Sequence, residues 1–212
     1  MLSGKTVTLI LSAALALAVG LWAGLYLTAR LNPPPLELAS GVVLDPPRRV
    51  EAFELIDQDG RSFGPERLAG QWDFIYFGYT YCPDVCPTSL ADLAALERRL
   101  ESQGLAEATA YLLISVDPQR DTPERLGEYV RYFHPQFQGA TGSRQTLDRL
   151  TRQMGVAYRI PKSQDGEDYM VDHSSAVLVV DPQARLRAIF TSHDPQAMAT
   201  DFARLHDRFG GE

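Results

Sequence analysis

Cysteine is scarce in this chain of 212 residues: there are two, Cys82 and Cys86, separated by three positions. A bond between them would close so small a loop that it could staple nothing larger, which excludes a disulfide-held scaffold and points to a chemical use for the pair. Positive charge is also in deficit, with 20 Lys and Arg against 27 Asp and Glu. Lys5, Arg30, Glu37 and Asp45 cancel one another, so the whole net charge of −7 falls after residue 47. A phosphate-binding surface needs a basic face, so no nucleic-acid partner is expected. Internal repeats are absent, and so is low-complexity sequence outside one proline-rich stretch, leaving ordinary globular material for a single core.

Charge is missing altogether from Thr6 to Ala29, a run of 24 residues. About 20 apolar residues cross the hydrocarbon core of a bilayer, so the run predicts one membrane-spanning helix. It exceeds the roughly 7–15 residues of a cleavable signal's apolar region and carries Trp22 and Tyr26 toward its end, at interface depth. An uncleaved anchor over residues 1–30 is therefore expected. One flanking charge on each side, Lys5 and Arg30, sets no orientation. A proline-rich linker is expected over 31–49, where residues 32–47 hold five prolines, a composition that favours a semi-rigid extended spacer. That leaves 50–212 as the soluble domain.

Within it, FELID and RSF read as a hairpin turning at Asp59-Gly60. Trp72 to Tyr79 is aromatic enough for a buried strand, and the leucines at 90, 93, 96 and 100 have helical spacing ended by Gly104. A central strand at 111–116 follows, then a helix with Pro123 in its first turn. A helix at 144–154, a short strand near 156–160, two strands at 175–181 and 186–191 joined at Asp181-Pro182, and a helix near 195–208 complete the series. This order predicts an α/β domain of thioredoxin-like fold, a central mixed sheet flanked by helices.

The cysteines fall in FGYTYCPDVCPTSL, between a strand and the helix it feeds. Residues that precede proline avoid helical backbone, so Pro83 and Pro87 push Cys82 and Cys86 toward loop geometry, and Pro87 suits a first helical turn. Cys86 is then expected beside a helix amino terminus, whose partial positive charge favours thiolate. Two thiolates at this spacing chelate a soft ion such as copper. They also suit a disulfide in an exported protein, and the spacing does not decide between metal binding and redox work. A third donor has to come from elsewhere. His134 precedes a proline at a helix end, His206 lies in the last helix and His193 in a polar loop, whereas His173 stands in a strand-entry loop where a side chain can face a site.

Three ordered blocks make the chain resemble the Sco/SenC family of copper chaperones for cytochrome c oxidase: Phe77-Gly78-Tyr79-Thr80-Tyr81-Cys82-Pro83-Asp84-Val85-Cys86-Pro87, then Asp117 to Glu124 (DPQRDTPE), then Tyr169-Met170-Val171-Asp172-His173-Ser174. The resemblance implies Cys82, Cys86 and His173 as ligands of one copper ion, Cu(I) or Cu(II). The cysteines would also be the catalytic pair of any redox activity. Two thiolates and a neutral imidazole leave the site near neutral in either copper state, and a closed structural zinc site would need a fourth ligand. Asp172 is expected to orient the His173 ring or bias its charge. Helix capping by Asp121 or Thr122, with Glu124 in the first turn, accounts for much of the middle block. The chain departs from the family at Asp181-Pro182-Gln183-Ala184, where a glycine is more usual.

What the resemblance implies is a metallochaperone that delivers copper to the oxidase subunit bearing the binuclear copper centre, or prepares that centre's thiols. The alternative is a membrane-anchored thiol:disulfide reductase using the same cysteines. Other periplasmic copper chaperones or thiol-disulfide reductases are possible partners, and the implied location is a bacterial inner membrane with the soluble domain on the periplasmic side.

Overall fold

The computed structural model describes residues 4–31, 34–161 and 169–211. They form two compact units, divided between Leu36 and Glu37. The first is built on one helix, α1 (Gly4–Leu31), 28 residues long. At 1.5 Å per residue it reaches about 42 Å, and Leu11–Thr28 has a mean hydropathy of 1.8, so it is long and apolar enough to span a bilayer. Trp22 and Tyr26, one turn apart, stack with ring centres 5.6 Å apart.

The second unit begins with β1 (Gly41–Arg49), then β2 (Leu55–Asp57) and β3 (Ser62–Phe63). Next come β4 (Trp72–Gly78), α2 (Val85–Ser102), β5 (Thr109–Ser115), α3 (Pro123–Phe133), β6 (Gln138–Thr141) and α4 (Arg144–Met154). The pair β7 (Tyr158–Arg159) and β8 (Asp172–His173) precedes β9 (Val177–Val180), β10 (Arg185–Phe190) and α5 (Pro195–Phe209). Eight strands make one sheet in the order β1-β10-β9-β4-β5-β6-β2-β3, while β7 and β8 pair separately. β4, β5 and β6 run parallel, β9 lies antiparallel to β4, and β10 lies antiparallel to β9. With helices flanking this mixed sheet, the arrangement is thioredoxin-like.

Strand β4 is central, and every residue of it is buried, as expected of a strand covered on both faces. Its alternate side chains Trp72 and Phe74 meet Phe202 of α5 at 5.6 and 5.1 Å between ring centres, and the stack continues through Tyr111 to Phe137. Each such ring contributes about 1.5–3 kcal/mol on burial. The hairpin expected at Asp59-Gly60 is present: β2 and β3 pair antiparallel, and Gly60 takes φ +76°, a left-handed turn conformation that glycine adopts without penalty.

The proline-rich stretch departs from expectation. Instead of an extended spacer up to residue 49, β1 lies along β10, with its register broken between Val43 and Arg48. Pro46 and Pro47 fall in that break on an edge strand, where a missing backbone donor costs no ladder bond. Ser40 fixes the entry: its N–H and hydroxyl both donate to Asp201 of α5 at 2.6 Å.

At the hairpin between β9 and β10, buried Asp181 accepts the N–H groups of Gln183 and Arg185 and both Arg185 and Arg187 side chains. Ala184 there takes φ 55°, a left-handed conformation that glycine adopts without the cost a Cβ brings. Ala184→Gly should stabilise the domain by about 1 kcal/mol in chemical denaturation, by relieving the left-handed backbone. Asp73 of β4 is buried, with Gln71 donating to one oxygen and no partner for the other among the described residues. Burial pushes its carboxyl from 3.8 up to about 7. The folded state therefore holds a proton that the unfolded chain has released, and stability falls as pH rises from about 4 through about 7, by about 1.4 kcal/mol per pH unit. Asp73→Asn should raise the urea midpoint at pH 8 and leave it nearly unchanged at pH 4. Equal midpoints for the two proteins at pH 8 would contradict this.

Candidate metal centre

The parallel strands β4 and β5 end side by side at Gly78 and Ser115, and the loops that follow them carry the first two sequence blocks. After β4 the chain turns at Tyr79, whose carbonyl accepts the Cys82 N–H at 3.4 Å, and enters α2 at Val85. Cys86 lies inside the first turn of this helix. The expectation of loop backbone at Cys86 fails because Pro87, as an early helical residue, needs no intrahelical donor and its fixed φ suits the turn. Cys82 alone is left in the loop. The free N–H at the helix start, that of Cys86, points to the Cys82 sulfur at 3.4 Å.

Both cysteines are free and buried, Cys86 completely. Burial pushes the Cys86 thiol well above its ordinary range, so the expected preference for thiolate at the helix terminus is reversed there by desolvation. The sulfur rests against the end of β4. A Cβ on Gly78 would lie 3.0 Å from it and 2.9 Å from the Tyr76 ring, so only glycine admits the helix this close.

His173 comes from β8, whose pairing with β7 sets Tyr158 opposite His173. Its ring stands edge-on between Tyr76 and Tyr79, at 5.9 and 5.8 Å between ring centres. Nδ1 lies 3.1 Å from the Ser174 carbonyl. Since a carbonyl only accepts, Nδ1 carries the proton and Nε2 presents a lone pair, 3.3 Å from the Cys86 sulfur. Burial lowers the ring's proton affinity, against smaller opposing effects from the Ser174 carbonyl and the Asp172 charge. The Nδ1 contact is to the Ser174 carbonyl, and Asp172 itself is exposed beside the ring.

The donor atoms of Cys82, Cys86 and His173 all lie within 4.8 Å of one another, the one such group of three among the described residues. Two sulfurs and an imidazole nitrogen, gathered together, form a soft donor set. None of the other histidines joins this group: His134 lies 3.5 Å from Glu97, His206 packs against Trp72, and His193 stands perpendicular to the Tyr76 ring at 6.4 Å between ring centres.

The middle block does more than cap a helix. Thr122 is the cap of α3, accepting the Arg125 N–H. Asp121 instead turns inward to accept the Thr80 N–H and the hydroxyls of Thr80 and Ser115. Asp117 pairs with Arg120 and accepts the Tyr169 hydroxyl. The aromatic residues flanking the cysteine and histidine blocks were the available sign of these links, but the pairing of 117 with 169 crosses 52 positions and has no local pattern.

Comparison with known proteins agrees with this geometry. Residues 44–206 match the SCO1/SenC family. An SCO2-like protein of Rickettsia conorii is 35% identical over 201 residues, covering 93% of this chain and 96% of the relative. Among solved structures, Arabidopsis thaliana ScoI with copper bound aligns with a TM-score of 0.69 at 34% identity, covering 75% of this chain and 98% of that one. Yeast Sco1 with copper bound gives 0.68 at 31% identity, covering 74% and 88%. With a family match spanning most of its length and a relative 35% identical along nearly the whole chain, this chain is a member of the SCO1/SenC family.

Proposed function

We propose that this protein binds one copper ion through Cys82, Cys86 and His173 and delivers it to the subunit of cytochrome c oxidase that carries the binuclear copper centre. The convergence of two sulfurs and an unprotonated imidazole nitrogen within 4.8 Å carries the reading. Soft thiolates select copper, three ligands leave room for an acceptor's donor to enter, and relatives of the same fold are solved with copper bound. Cu(I) capture needs two thiols to release their protons, after which both thiolates and the imidazole hold the ion. Helix α1 would tether the domain to a bacterial inner membrane with the site on the periplasmic side.

A second reading, dithiol exchange that reduces the acceptor's cysteines, draws on the nearness of the two sulfurs and on Cys82, the less enclosed of the two, as the attacking group. Exchange needs no imidazole ligand, and that separates the two readings.

Anaerobic titration of the reduced protein should show one tightly bound Cu(I), and a sulfur-to-copper charge-transfer band with Cu(II). Both are lost in Cys82→Ser/Cys86→Ser, and retention is sharply weakened in His173→Ala. Because metal displaces protons from thiols, apparent affinity should rise with pH, by about tenfold per unit for each proton released. Copper bound equally well by His173→Ala would favour dithiol exchange. Gly78→Ala forces a methyl group against the Cys86 sulfur; overpacking of this kind costs about 1–3 kcal/mol of stability, and copper should be released faster in a chelator competition. A variant that keeps wild-type release would show that the helix can move away without disturbing the donors.

A further inference from the structure

The histidine donor is held by surprisingly little secondary structure. Strands β7 and β8 share two residue pairs, and an isolated two-stranded ladder is marginal in water. A cluster next to the donors supplies the missing hold. Asp117, fully buried after β5, accepts Arg120 Nε at 2.5 Å on one oxygen and the Tyr169 hydroxyl at 2.5 Å on the other. Arg120 donates through Nη2 to the Tyr169 carbonyl at 3.0 Å, and its guanidinium lies 3.6 Å from the centre of the Tyr169 ring. The same cation faces Tyr79 and Tyr81 at 5.6 and 4.7 Å. Tyr79 in turn accepts the Val171 N–H at 3.2 Å and sets its ring edge against His173.

One guanidinium thus touches both chain segments that carry donors, the loop before Cys82 and the stretch before His173. Its side chain is 9% exposed and that of Asp117 is 0% exposed, so the pair has been taken out of water, a cost that a mere surface ion pair does not carry. The cap of α3 is supplied by Thr122, so the helix does not require Arg120. Its planar fork meets a carboxylate, a carbonyl and three rings at once, which an ammonium cannot do.

We propose that Arg120 is a positioning residue of the metal centre: through Asp117 and Tyr169 it clasps the His173 segment to the cysteine loop, so that the imidazole stands at the sulfurs before any metal arrives. The consequence for copper rests on the metal-binding reading above, while the clasp itself can be tested without metal.

The experiment uses the full-length, metal-free, reduced protein in detergent and follows amide hydrogen exchange in Arg120→Lys, Tyr169→Phe and the paired variant Arg120→Met/Asp117→Asn, which leaves no lone buried charge. Exchange at Val171 and Ser174 should accelerate at least tenfold in all three, with β4 and β5 still protected, and Cu(I) release to a competing chelator should accelerate at least tenfold. Unchanged protection at Val171 and Ser174, or equal loss in β4 and β5, overturns the clasp. Faster exchange with unchanged copper release overturns its positioning role. If the wild-type protein binds no Cu(I), the copper reading fails and the exchange result alone decides the clasp.

Discussion

The Cys86 sulfur is shut between the end of β4 and the first turn of α2, and the rest of the site is arranged around that confinement. Gly78 permits the approach, and Pro87 lets the helix begin early enough to bring the cysteine inside. Tyr76 lies against Gly78 and stands perpendicular to the His173 ring. Burial disfavours the Cys86 thiolate in the absence of a cation, and the sulfur becomes a good ligand once a cation takes the place of its proton. Burial acts on both donors in the same sense, since it disfavours the charged form of the Cys86 thiol and of the His173 imidazole alike.

Much of the architecture was legible in the sequence because it is written in local periodicity. The leucines of α2, the all-apolar β4, the Pro-led α3 and the hairpin at Asp59-Gly60 each carry their own signal. The three donors of the candidate centre could be named there as well, two from spacing and the third through the family blocks, and the fold brings their donor atoms within 4.8 Å of one another. What failed to show were features fixed by distant partners. Pro46 and Pro47 read as a spacer, yet β1 folds because Ser40 finds Asp201 on a helix 161 positions later. The backbone at Cys86 followed its place in a helical first turn rather than the bias imposed by the next residue. Capping correctly explained Thr122 and thereby concealed what Asp117, Arg120 and Asp121 do, since their side chains turn toward the site and away from the helix they precede.

The departure at Ala184 shows the same division between local and distant causes. A residue with a side chain occupies a left-handed position because Asp181 and the two arginines it binds determine the turn from within the core. Similarly, Asp73 remains in a central strand although half its hydrogen-bonding capacity goes unused among the described residues.

The sheet's two borders differ from its middle in a way that bears on how copies of the protein coexist. One border is β1, interrupted by prolines and carrying exposed Arg48 and Arg49; the other is β3, two residues long. Neither offers the long, flat row of unpaired amides on which a foreign strand can nucleate. The domain can therefore be crowded at high local density without its sheets joining edge to edge.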